Sequence, residues 1–297
     1  MIINRANLVA LFTGFKTVFN EAFSTAESHF AQVAMTVPSS TKRETYAWLG
    51  ASTRFREWIG ERVVQNLANH DFTIVNKSFE NTVGVDRDDI EDDTYGVYRP
   101  LLSQLGQDAK THPDELIFAL LAAGFASLCY DGQYFFDSDH PVVDAAGAEQ
   151  SVSNTGGGAG TAWYLLDASR AIKPFIWQSR AEYNFVAMDQ PDDEAVFNRK
   201  QYRYGIDGRG NAGYGLWQLA YGSKVALDAT NYAAARAAMM SFKGDHGKPL
   251  NVKPTLLVVP PSLEKAGLEV LQAERLANGA TNIYRGTASL LVTPWLA

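Results

Sequence analysis

Residues 137–140 read Asp-Ser-Asp-His, which places two carboxylates and an imidazole within four positions. Those are the donor types that hold a divalent metal for hydrolysis, and Asp144 and Glu149 stand close enough in sequence to assist. The competing reading is structural. The motif sits directly before Pro141 in a turn-like stretch, where Asp and His bond backbone amides. The turn is the preferred reading, and Asp137, Asp139 and His140 are kept as the set a metal-dependent hydrolase would use.

Gly208-Arg209-Gly210-Asn211-Ala212-Gly213 matches G-x-G-x-x-G letter for letter. A dinucleotide site needs a helix immediately after the last glycine, its N-terminus meeting the pyrophosphate. The continuation Tyr214-Gly215-Leu216-Trp217 is aromatic and glycine-interrupted, so no such helix is expected. The glycines at 156–160 lack the Lys-Ser/Thr of a phosphate loop and read as a flexible tip. His112 belongs to a helix start and His246 to a glycine-flanked loop, neither beside a nucleophile. The sequence therefore predicts no enzyme and no cofactor.

The elements around these residues are legible from periodicity. Leu8, Leu11, Phe12, Phe15, Val18, Phe19, Ala22 and Phe23 follow helical spacing and form an aromatic stripe. Two partners suit that stripe, a neighbouring subunit or the chain's own body. Between residues 38 and 81 single aromatics alternate with charges, and residues 70–79 carry the short-period alternation of a strand. This predicts a protruding two-stranded loop that needs a neighbour to lie on.

After the acidic run at 86–93, residues 94–110 read as one helix. Thr111-His112-Pro113-Asp114-Glu115 reads as the start of a second, with Pro113 in its first turn and two carboxylates at the positive end of its dipole. Strand and loop fill residues 131–224. A third helix is expected over 228–243, ended by Gly244, then a buried strand between Pro254 and Pro260, a short helix over 262–276, and an apolar strand at 288–292.

With 297 residues the chain has enough length for two domains, or for one large domain with extended arms. The 26 Lys+Arg against 33 Asp+Glu give a net charge of -7, which argues against a reader of nucleic-acid sequence yet suits a surface that faces packed DNA without gripping it. Cys129 is the single cysteine and is expected to be a reduced, buried small hydrophobe. No signal peptide or apolar run of membrane-spanning length is read, so synthesis in the cytoplasm is expected.

Taken in order, residues 90–94, His112-Pro113-Asp114, residues 129–141, 163–167, 173–178 and 256–261 resemble the major head subunit of Mu-like tailed phages and prophages across nearly the whole chain. The resemblance implies an α+β fold of the Hong Kong 97 type, with an N-terminal arm (1–45), an extended loop (46–85), a peripheral domain with a spine helix (86–234 and 281–297) and an axial domain (235–280). It further implies self-assembly as pentamers and hexamers into an icosahedral head around double-stranded DNA. Scaffold, maturation protease, portal and decoration proteins would be its partners, with no membrane, and the virion its location after synthesis in the bacterial host cytoplasm. Phe12, Phe15, Phe19, Phe23, Trp48, Trp58, Phe72 and Phe79 are the candidate inter-subunit contacts. An encapsulin-like cargo shell is the alternative within the same fold.

Overall fold

A computed structural model describes residues 3–49, 72–92, 95–190, 192–276 and 279–297. The chain opens with α1 (Arg5–Thr25), a single turn α2 (Phe30–Val33), β1 (Ala34–Pro38) and β2 (Arg43–Thr45). β3 (Thr73–Val75), β4 (Lys77–Asp86), α3 (Arg87–Glu91) and the long α4 (Arg99–Ala123) follow. Next come β5 (His140–Val143), β6 (Glu149–Val152), β7 (Thr155–Gly158), β8 (Trp163–Leu166) and β9 (Phe175–Met188). The remainder is α5 (Glu194–Arg199), β10 (Gln201–Tyr214), β11 (Ala220–Lys224), α6 (Ala229–Ser241), β12 (Leu256–Val259), α7 (Glu264–Leu271) and β13 (Ser289–Val292).

Two sheets organise these elements. The first has the order β1-β9-β10-β4, and its centre is a hairpin of two 14-residue strands. The second has the order β13-β12-β8-β11-β7. Its central strands, Trp163-Tyr164-Leu165-Leu166 and Leu256-Leu257-Val258-Val259, are buried at every position, which is why they read as continuous apolar runs rather than alternations. One large core lies around this second sheet and the base of the first; a smaller one lies under α1 and α4 against the distal part of the first sheet.

α1 forms because Leu8, Leu11, Phe15, Phe19 and Ala22 recur every three or four residues, and Asn4 caps its start by accepting from Asn7 N–H at 2.9 Å. The buried stripe packs onto α4 around Gly106, where a Cβ would lie 2.5 Å from the Phe19 carbonyl oxygen. Only the absence of a side chain lets the two helices approach that closely.

The expected pair of helices at 94–110 and 111–125 is one helix of 25 residues with Pro113 inside it. A proline here forfeits one helical hydrogen bond and costs about 3 kcal/mol. Burial overrides that cost: Ala109, Pro113, Ile117 and Phe118 lie on the buried side of α4, so continuing the helix keeps four apolar contacts in register. The carboxylate of Asp114, only 1% exposed, does not serve its own helix. It accepts from the backbone N–H groups of His29 and Phe30 and from Ser28 Oγ, thereby capping α2 from 84 residues away.

The glycines of the nucleotide-like motif lie within β10. A Cβ at Gly208 would meet the Tyr183 ring at 2.5 Å, one at Gly210 the Gln178 carbonyl at 2.6 Å, and one at Gly213 the Ile74 side chain at 2.0 Å. They make room for neighbours and leave no phosphate cradle.

Within the expected axial domain, 235–280, β12 has hydrogen-bonded partners that lie outside that range. β13 pairs in parallel with β12, and β12 in turn pairs with β8. Residues 281–297 and β8 therefore belong with 235–280 in one sheet, a grouping set by pairing between segments far apart in sequence. The C-terminal helices are shorter than expected: α6 ends at Ser241 rather than Lys243, and α7 (Glu264–Leu271) covers only part of 262–276.

Candidate assembly surfaces and the buried Asp131–His140 cluster

The aromatic stripe of α1 docks on its own chain. Phe15 and Phe19 are each 3% exposed; Phe15 meets Tyr204 edge-on at 5.0 Å, and Phe19 stacks on Phe185 at 5.2 Å. Phe12 and Phe23 are half-buried at the margins, Phe12 against Phe185 and Phe23 under Lys110 Nζ at 5.1 Å. Of the two partners the stripe suited, the intrachain one is observed, since α4 and the sheet offer a complementary apolar face. Phe15 and Phe19 thus have no surface to give a neighbour in this conformation.

The root of the extended loop is likewise seated on its own sheet, while residues 50–71, the part expected to rest on another chain, lie outside the described residues. Tyr46, Leu49 and Ile74 are buried. Gln178, fully buried on β9, accepts from Tyr46 Oη at 2.8 Å and donates to Ile74 O at 3.1 Å and Asn76 Oδ1 at 2.8 Å. That network pins both arms of the loop, because an unpaired amide there would be costly. Trp48 and Phe72 are half-buried beside it, and Trp58 lies outside the described residues.

Phe79 packs at 4.3 Å against His112, whose Nδ1 also meets Tyr183 Oη. Burial lowers the His112 pKa from its ordinary value, opposed in part by Glu115, and burial pushes the Tyr183 hydroxyl up to about 12. With Glu80, Asp108 and Trp295 these residues line a cleft of about 310 Å³.

The most exposed apolar side chains fall elsewhere. Phe197 is 80% exposed on α5, at the tip of the β9–β10 hairpin where Val186 and Met188 are also exposed. Ile283 and Val97 are exposed at 73% and 69%. Sequence reading missed Phe197 because a six-residue helix offers too little periodicity to show which face is uncovered.

The Asp-Ser-Asp-His motif is dispersed by the fold. Asp137 accepts from Ser138 N–H at 2.7 Å and Tyr134 N–H at 3.2 Å, holding the turn, while Asp139 bonds Ser151 Oγ. His140 is fully buried, stacked on Trp217 at 3.9 Å, with Nδ1 2.7 Å from Asp131 Oδ2. The hydrolase set Asp137, Asp139 and His140 therefore does not converge. The carboxylate that meets His140 comes from nine residues upstream, where a tight turn folds the chain back. Burial pushes the Asp131 carboxyl up, but hydrogen bonds from His140 and Cys129 outweigh it and hold it below the usual range. Burial and the nearby Asp131 charge push the Cys129 thiol up.

The profile of the family described as "Mu-like prophage major head subunit gpT" matches residues 8–296. The chain belongs to the Mu-like prophage major head subunit family. It is 42% identical to the major capsid protein of Escherichia phage Mu, over the whole length of both chains. To the Mu-like prophage FluMu major head subunit of Haemophilus influenzae it is 45% identical, covering 89% of this chain and 88% of that one. Among solved structures it resembles the procapsid subunit of bacteriophage JBD30, with TM-score 0.88 and 49% identity over 99% of this chain and all of that one. The JBD30 capsid subunit matches with TM-score 0.79 and 37% identity over the full length of both.

This head subunit is thus a major capsid protein of a Mu-like phage or prophage, with the Hong Kong 97-type α+β fold, and it self-assembles into a capsid shell. It is a structural protein of the virion and not an enzyme. Among the described residues no helix is long and apolar enough to cross a membrane.

Proposed function

We propose that the subunit builds its shell from pentamers and hexamers that enclose double-stranded DNA, with a scaffold, a maturation protease, a portal and decoration proteins as partners. The observation that carries this reading is full-length similarity to a subunit solved both in a procapsid and in a capsid. A net charge of -7 agrees with enclosing DNA without gripping it. Within the shell, the arm (1–45), the extended loop (46–85), the peripheral body and the axial sheet are the units that meet neighbours, the sheet being taken with the strand pairing described above.

The contacts proposed for the loop and arm are Trp48, Trp58, Phe72, Phe79, Phe12 and Phe23, joined by the exposed Phe197 at the hairpin tip. Many weak contacts repeated around each subunit hold a closed shell by multivalency. Electron microscopy of the singly expressed chain tests the reading. Closed shells or rings with fivefold and sixfold arrangements are expected; tubes with sixfold rings alone, even when scaffold is supplied, would refute the proposal of pentamers.

A further inference from the structure

Asn154 fixes the hydrogens of the His140 ring. Its Nδ2 donates to the Phe135 carbonyl at 2.8 Å, and its Oδ1 accepts the Asp137 N–H at 2.9 Å. The oxygen is therefore the atom facing His140 Nε2 at 3.2 Å, so Nε2 carries a hydrogen. That leaves Nδ1 as the nitrogen aimed at Asp131 Oδ2, 2.7 Å away. The second oxygen of Asp131 accepts from Cys129 Sγ at 3.0 Å. Thiol, carboxylate and imidazole donor atoms all lie within 4.8 Å of one another, and none of the three side chains is substantially exposed.

We propose that Cys129, Asp131 and His140 form a structural zinc site. Thiolate sulfur, carboxylate oxygen and imidazole nitrogen are the donors Zn²⁺ takes, and a ring whose other N–H is tied to an acceptor is the arrangement that orients a metal-binding histidine. The charge balance is even. Without metal, two acceptors around the ring call for an imidazolium, which with one carboxylate and a neutral thiol sums to zero. With Zn²⁺ the sum is again zero, because the ion replaces the Nδ1 and Sγ hydrogens and releases both as protons. The core thus takes the dication without gaining buried charge.

The fit requires a small movement. Zinc–ligand distances of about 2.0–2.3 Å place ligand atoms roughly 3.2–3.6 Å apart, so the pairs now at 2.7 and 3.0 Å open by about half an ångström. The two Asp131 oxygens supply a bidentate ligand between the other two. Since the site is closed to solvent, the ion enters while the chain folds, and its role is to hold the 128–134 turn against β5 and Trp217.

The test is refolding the full chain from denaturant with zinc chloride or with a chelator, followed by gel filtration and elemental analysis. One zinc per chain is expected, with two more protons released on refolding with zinc than on refolding without metal, read by an indicator dye in weak buffer. Cobalt in place of zinc should give a thiolate charge-transfer band. Cys129→Ala should lose metal and band together, whereas Asp137→Asn and Asp139→Asn should keep both. Should Cys129→Ala fail to fold, the wild-type stoichiometry and proton count decide alone. Metal-free wild type after refolding with zinc would overturn the site and leave a protonated His140–Asp131 pair, and full retention of zinc by a folded Cys129→Ala would overturn it equally.

Discussion

Gly14 in α1 and Gly106 in α4 are both glycines inside helices, yet the same substitution should move stability in opposite directions. A Cβ at Gly14 meets nothing within 4 Å, so Gly14→Ala collects the helix preference of alanine over glycine, about 0.5–1 kcal/mol. A Cβ at Gly106 would lie 2.5 Å from Phe19 O, 3.0 Å from Ala22 Cβ and 3.1 Å from Phe23 N. Two of these are backbone atoms, so relief comes only if α1 lifts by nearly an ångström, and overpacking of that kind costs about 1–3 kcal/mol and somewhat more against backbone. The loss exceeds the gain. For a chain of this size Gly106→Ala should lower the unfolding midpoint of the soluble subunit by about 1–4 °C, and Gly14→Ala should raise it by about 1–2 °C. Scanning calorimetry on both variants in parallel reads the signs. A stabilised Gly106→Ala would show that α1 does not lie on α4 as closely as described, and the account of the arm would fail with it.

Other outcomes follow from the same geometry. Asp114→Ala removes the acceptor for two backbone N–H groups and a hydroxyl, and should destabilise by about 2–4 kcal/mol in denaturant titration, with Asp114→Asn intermediate. His112 has a lowered pKa, so its neutral form is favoured by folding; that contribution is complete above the unfolded value near 6.5 and is lost as pH falls through the folded one. Wild type should therefore lose stability as pH falls below about 6.5, and His112→Gln should show a flatter profile there. Phe197→Ser should leave the unfolding midpoint unchanged, the side chain being 80% exposed, while lowering the yield of closed shells in electron microscopy.

Much of the secondary structure was legible because its signals are local. An alanine-rich run with Asp228, Thr230 or Asn231 as its candidate cap predicted α6, and the structure selects Asp228, whose Oδ1 accepts from Asn231 N–H at 2.8 Å. The features that were not legible depend on distant partners. Pro113 reads as a helix start until the packing of Ala109 and Ile117 is known. Asp114 reads as part of the same start until α2 arrives beside it. Asp137 and Asp139 look like partners of His140, but backbone amides and Ser151 claim them and Asp131 takes their place. The stripe of α1 was visible, yet nothing in its spacing says whose surface it covers. Replacing Phe15 and Phe19 by serine should unfold the subunit, at about 3–5 kcal/mol each, because both side chains lie in its own core.

The β9–β10 hairpin has a mechanical consequence. Fourteen residues of strand extend about 46 Å, so the hairpin acts as a lever with its fulcrum in the core shared by the two sheets and Phe197 at its far end. A tilt of about 5° at the base would carry the tip about 4 Å, and α1 with the start of α4 would move along with it because they pack on the hairpin's outer half. Curvature adjusted at that fulcrum would be registered at the tip, which would let one sequence tile surfaces of different bend.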